Sequence, residues 1–242
     1  MKIVFTPDWF LNNDILIEII SFMVLFLFFL FSVKCYKLNR KKSIIYLGIG
    51  FLLIAIGELS TIFTKLILYY DIGITQEIGR AVINSQIVKT VDIFYYTGFF
   101  FNKFLSLLGL YVIYKIPFKK LSGESLLAIY LILLAALLSN SLNYVYHLTA
   151  LILLGLIINN YYQIYKKDKL TNTRMLIAAF VLLAISQAMF LLSKLDYLYV
   201  TAQGIQLVSY ITLFILIIKI LKNGKKEKQD GHHARHTKNY PK

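Results

Sequence analysis

Seven stretches of the chain are apolar around the whole helical circumference, and this pattern constrains the fold more than any other feature. They cover residues 15–33, 44–68, 93–114, 125–140, 144–162, 175–192 and 201–218. Most have the roughly 17–25 residues that a bilayer-crossing helix requires; the fourth is the shortest. Lipid cannot satisfy an open backbone, so helix is the expected element. A membrane barrel would alternate with period two, and these runs do not. Composition agrees, with 58% hydrophobic and 16% charged residues, where a soluble domain has about half and a quarter. The expected fold is an all-α integral membrane protein with seven transmembrane helices in residues 1–220. A basic, disordered cytoplasmic tail is expected over 221–242.

The chain has 26 Lys plus Arg against 12 Asp plus Glu, a net charge of +14. In a soluble protein that would suggest nucleic acid. Here the basic residues sit on alternating loops. Lys34, Lys37, Arg40, Lys41 and Lys42 follow the first span, Lys115, Lys119 and Lys120 the third, and Lys166, Lys167, Lys169 and Arg174 the fifth. The tail carries eight more from Lys219 to Lys242, whereas the opposite side holds only Lys2, Arg80, Lys89 and Lys194. The positive-inside rule then places the N-terminus outside and the C-terminus in the cytoplasm, across the cytoplasmic membrane. The expected basic partner is the anionic inner leaflet of the lipid bilayer, with no role for nucleic acid. The first span lacks the basic start and small-residue end of a signal peptide and reads as a retained helix.

Trp9, Tyr69, Tyr70, Tyr114, Tyr161, Tyr162, Tyr197 and Tyr199 cluster at span ends and read as interface anchors. Gly48, Gly50, Ala55 and Gly57 in the second span, and Ala178, Ala179, Ala184 and Ala188 in the sixth, allow close helix approach. Gly98, Gly109, Gly155 and Gly204 are assigned the same role. The loop between Tyr70 and Asp92 has apolar residues at helical spacing and reads as an interfacial helix on the outer surface.

Spans one to three resemble spans five to seven. A shift of 129 positions lays Phe51–Glu58 over Phe180–Gln187, Lys65-Leu66 over Lys194-Leu195, and Glu18 over His147. A shift of 104 lays Lys115-Ile116 over Lys219-Ile220 and Asn102 over Gln206. Three spans invert orientation and the fourth restores it, so the two triplets point the same way. The implied layout is a 3+1+3 parallel repeat about an axis along the membrane normal. In that respect alone the chain resembles the sugar-exporting SWEET transporters. Those transporters carry prolines inside their helices, and here Pro7, Pro117 and Pro241 all lie outside the spans.

Ionisable groups inside lipid are costly and point to function. Glu58 and Lys103 are the clearest, at similar depths in the outer halves of neighbouring spans, and are expected to face each other. Asn102, His147, Gln187, Gln203 and Gln206 complete a polar cluster in the same outer half, with Tyr210 continuing the stripe of Gln203 and Gln206. Such a cluster suits a small polar ligand in an outward-facing cavity, or it serves only as interhelical hydrogen bonding.

Several chemistries lack their residues. No cofactor is expected, since the seventh span has no lysine before Lys219 to carry a retinal. No Asp lies well inside a span, and no His-Glu-x-x-His motif occurs. No metal site and no enzymatic activity are therefore expected. Cys35 is the lone cysteine, which excludes an internal disulfide. No output domain follows the last span, so a signal would leave by helix motion and a separate cytoplasmic partner. The sequence thus points to a receptor-like protein, with a small-solute transporter or a ligand-free structural subunit as alternatives.

Overall fold

The computed structural model of the protein describes residues 7–10, 13–40, 42–70, 90–116, 123–139, 142–192 and 196–236. Those residues form a 3-10 turn at Asp8–Phe10 and seven helices, with no strand among them. The helices are α1 (Asn13–Asn39), α2 (Lys42–Tyr70), α3 (Thr90–Lys115), α4 (Gly123–Leu138), α5 (Asn143–Asp168), α6 (Thr171–Leu191) and α7 (Asp196–His236). All except α4 are long and apolar enough to cross a membrane. Six of the seven expected spans have crossing length, and the fourth is the short one. With 16 residues, α4 extends about 24 Å at 1.5 Å per residue, below the roughly 30 Å of a hydrocarbon core.

Where a disordered tail is expected from residue 221, α7 continues as helix to His236. The Lys, Glu, Gln and Ala residues of that segment are good helix formers, and a helix already nucleated upstream extends at little cost. The interfacial segment expected between Tyr70 and Asp92 lies almost wholly outside the described residues.

Neighbour packing closes the six long helices into a ring. Around it run α1, α2, α3, α5, α6 and α7, which returns to α1; α4 lies outside, against α3 and α5. The exposed Leu126, Leu127, Tyr130, Leu131, Leu137 and Leu138 of α4 fit that peripheral place. Successive helices reverse direction. Lys65 of α2 meets Asp14 at the start of α1, whereas Gly48 packs on Ser32 near the other end. Across α4, α3 and α5 run the same way. Asn143 at the start of α5 bonds Lys103, and Asn160 near its end donates to the Tyr114 carbonyl at 3.4 Å.

The α2–α3 seam is the closest approach. A Cβ on Gly109 would stand 2.5 Å from the Gly50 carbonyl oxygen, and one on Gly98 would overlap the Thr64 side chain. Those glycines are there to let backbones touch. Gly155 and Gly204 have open space instead, so their assignment to packing is corrected. Ser209 of α7 donates to the Ala179 carbonyl of α6 at 2.8 Å, and Ser186 of α6 to the Ala202 carbonyl of α7 at 2.9 Å.

Rings fill the middle of the bundle. Phe51 of α2 and Phe180 of α6, both fully buried, lie parallel with centroids 6.2 Å apart. Phe28 packs on Phe51 and Tyr161 on Phe180, at 4.4 and 5.8 Å. Tyr161 is therefore a core residue, which corrects its reading as an interface anchor. Trp9, Tyr162 and Tyr197 are exposed as that reading expects.

Candidate functional site

Polar side chains collect at the end of the ring that holds the start of α1. Each long helix is hydrophobic on every side, so a polar group is retained there only where a neighbouring helix offers a partner. Four groupings result.

The first closes α1 onto α2. Asp14 and Glu18 are four residues apart and share one helical face. The Lys65 ammonium donates to Asp14 Oδ2 at 2.7 Å and to Glu18 Oε1 at 2.5 Å, and all three residues are buried. Sequence reasoning missed this triad. Asp14 stands one residue ahead of the expected first span, yet the i, i+4 acidic pair opposite a lysine in the antiparallel neighbour was a readable signal.

The second joins α2 to α7. Glu58 Oε1 accepts from the Tyr210 hydroxyl and from Gln206 Nε2, both at 3.4 Å, and Gln206 also donates to Tyr210 at 3.0 Å. One turn away on α7, Gln203 donates to the Tyr199 hydroxyl at 2.9 Å. The stripe of Gln203, Gln206 and Tyr210 thus faces inward as expected, and Tyr199 joins it rather than anchoring the interface. Tyr146 of α5, bonded to Ser106 of α3, comes within electrostatic range of Glu58 and Tyr210.

The third fastens α5 to α6. His147 Nδ1 and Gln187 Oε1 are hydrogen-bonded at 2.8 Å. The imidazole lies between Tyr146 and Phe190, with centroids at 5.0 and 5.2 Å.

The fourth gathers α3, α4 and α5. Lys103 Nζ donates to the Ser139 carbonyl and to Asn143 Oδ1, both at 2.8 Å. Ser139 follows the last residue of α4, so the ammonium sits where the negative end of the helix dipole favours a cation. It also satisfies a terminal carbonyl that lipid could not. Asn102 donates to the Gly57 carbonyl at 3.0 Å and fixes α3 against α2.

The expected Glu58–Lys103 pair is therefore not formed. Their depths agree, since Asn102 and Gly57 touch, but the side chains leave their helices in different directions. Glu58 turns to α7 and Lys103 to the α4–α5 junction. Of the candidate residues, Glu58 and Gln206 are brought together, His147 and Gln187 form a separate pair, and Asn102, Lys103 and Gln203 each have other partners. Among the described residues, no group of three or more His, Cys, Asp or Glu is placed to hold a metal ion.

Comparison with protein-family models, with curated proteins and with solved structures finds no match to this chain. Its class is consequently defined by the fold alone. It is an all-helical bundle in which six helices are long and apolar enough to cross a membrane.

Proposed function

We propose that the protein is a receptor-like, non-enzymatic component of the cytoplasmic membrane. It binds a small polar ligand from outside, between α2, α5 and α7, and passes the change to a separate cytoplasmic partner. The observation that carries this reading is the Glu58–Gln206–Tyr210 group. It is a buried carboxylate inside the ring, held by two hydrogen bonds of 3.4 Å from α7. A ligand that contacts Glu58 competes with those long bonds and so favours one packing of α2 on α7 over another, as a population shift requires. Since α7 is the helix that continues past the bundle, its displacement is also the route to a partner.

The test is a thermal-unfolding screen of the purified protein in nanodiscs against small polar solutes of neutral, anionic and cationic classes. The expected result is a stabilising solute whose effect is lost in Glu58→Gln or Gln206→Leu. A screen in which no class shifts the transition rejects ligand binding. Sidedness is tested in a Cys35→Ser background by labelling Thr75→Cys and Gly231→Cys from opposite faces of the membrane; labelling of both from one face rejects the topology.

A second reading, a small-solute transporter of 3+1+3 layout, is favoured by the ring order. Rotating α1, α2 and α3 onto α5, α6 and α7 maps the α3–α5 contact onto the α7–α1 contact. It also places Phe51 over Phe180, the residues that lie face to face at the centre. Solute uptake in proteoliposomes distinguishes this reading from a receptor.

A further inference from the structure

We infer that the site at Glu58 takes a compact ammonium group, so that the ligand is a small primary amine. This rests on the ligand-binding reading above and names the chemistry of its ligand.

Charge is the first argument. Among the described residues, the ammoniums at this end of the bundle are already committed, Lys65 to Asp14 and Glu18 and Lys103 to Ser139 and Asn143. Glu58 is buried and in electrostatic range of Glu18 and Lys65, yet it bonds only neutral donors, and those at 3.4 Å. Among the described residues no ammonium bonds Glu58, and a buried carboxylate without a bonded counter-charge is expensive.

Unmet hydrogen bonding is the second, independent argument. Four buried side-chain polar atoms among the described residues have no partner: Glu18 Oε2, Thr61 Oγ1, Gln203 Oε1 and Ser125 Oγ. Three of these belong to α1, α2 and α7 at the same end of the bundle as Glu58. Thr61 follows Glu58 by one turn on α2. Gln203 precedes Gln206 by one turn on α7. Because the two helices are antiparallel and joined at Glu58–Gln206, both orphans lie one turn further toward that end. Each orphan is an oxygen able to accept; Glu18 Oε2 and Gln203 Oε1 can only accept, whereas the Thr61 and Ser125 hydroxyls can also donate.

A primary ammonium brings three donors and no acceptor. It would meet the Glu58 carboxylate, Thr61 Oγ1 and Gln203 Oε1, beside the rings of Tyr199 and Tyr210, whose faces attract cations. An anionic ligand would set its charge against the Glu58 carboxylate and its acceptor atoms against Gln203 Oε1. Divalent metal is disfavoured because the described acidic residues are not grouped to hold one.

The experiment measures thermal unfolding in nanodiscs at constant ionic strength with methylammonium chloride, tetramethylammonium chloride or sodium chloride. Methylammonium is expected to raise the midpoint by several degrees at saturation. Tetramethylammonium, which has the charge without the N–H donors, is expected to leave it unchanged, as is sodium. Glu58→Gln should abolish the effect. Thr61→Val and Gln203→Leu should each weaken the apparent affinity about tenfold, the size expected for a lost hydrogen bond to a charged group. These two variants carry the test if Glu58→Gln does not fold. Sodium acting as well as methylammonium, in a Glu58-dependent manner, would identify an alkali-cation site and overturn the ammonium. Equal stabilisation of wild type and Glu58→Gln would mark a surface effect and also overturn it. A neutral or anionic solute that acts through Glu58 while no cation does would keep the ligand-binding reading and reject this one.

Discussion

Lys65 and Lys103 are both lysines in apolar helices, and their surroundings use them differently. Lys65 neutralises two buried carboxylates, so removing its ammonium strands them. Lys65→Met is expected to destabilise the bundle by about 3–5 kcal/mol, read as a lower unfolding midpoint in detergent. Lys103 holds a helix end with two hydrogen bonds to neutral acceptors. Lys103→Met is expected to cost about 1–3 kcal/mol. Glu58→Gln combined with Lys103→Met should give the sum of the single effects to within about 0.5 kcal/mol, since the two are not bonded. Strong recovery in the double variant would show a coupling that the geometry lacks. Depth along each helix was legible in the sequence, and so was the gathering of polar groups in one half. Direction around the helix was not. An amphipathic helix declares its inner face by its apolar stripe, but helices apolar on every side declare none, so Lys103 was assigned to the wrong neighbour.

At the scale of helices, the glycines of α2 and α3 divide cleanly from those elsewhere. Gly109→Ala pushes a methyl group against the Gly50 backbone carbonyl, which cannot move aside as a flexible side chain would. A loss of about 1–3 kcal/mol is expected from this overpacking. Gly155→Ala meets nothing within 4 Å and should be neutral, or stabilising by up to about 1 kcal/mol through helix propensity. Thermal unfolding of both variants in one detergent checks the contrast, and a Gly155→Ala as damaging as Gly109→Ala would contradict the packing. Small residues in the sequence marked the α2 seam correctly but could not separate contact from open space, because composition carries no partner. The short fourth helix was legible as the weakest span. Its end at Ser139, held by Lys103, was not, because the capping cation comes from a helix more than 30 residues earlier.

Over the whole molecule, α2 and α6 are not neighbours in the ring, yet they meet through Phe51 and Phe180. Phe51→Ala and Phe180→Ala should each cost about 3–5 kcal/mol. Their double variant should lose less than the sum by about 0.5–1.5 kcal/mol, the worth of an aromatic pair beyond its buried area. Strict additivity would mean that the rings do not touch. The sequence had set these two phenylalanines in register through the shift of 129 positions. It could not say that the two rings would lie against each other, since that depends on how helices far apart in the chain pack.

This aromatic layer also decides where a membrane voltage falls. Glu58 lies seven residues from Phe51 along α2, about 10 Å at 1.5 Å per residue, on the side of the N-terminus. In a bundle that spans the bilayer, packed rings and apolar helix halves form the low-dielectric part of the path, and a voltage falls mainly there. A cation that reaches Glu58 from the N-terminal side therefore crosses only a small fraction of the potential. Its affinity should change little when an imposed diffusion potential of about 100 mV is applied to oriented proteoliposomes, although a full elementary charge crossing that field corresponds to about 2.3 kcal/mol. A solute carried through would cross all of it, so insensitivity to voltage is the electrical signature of a protein that senses a cation without moving it.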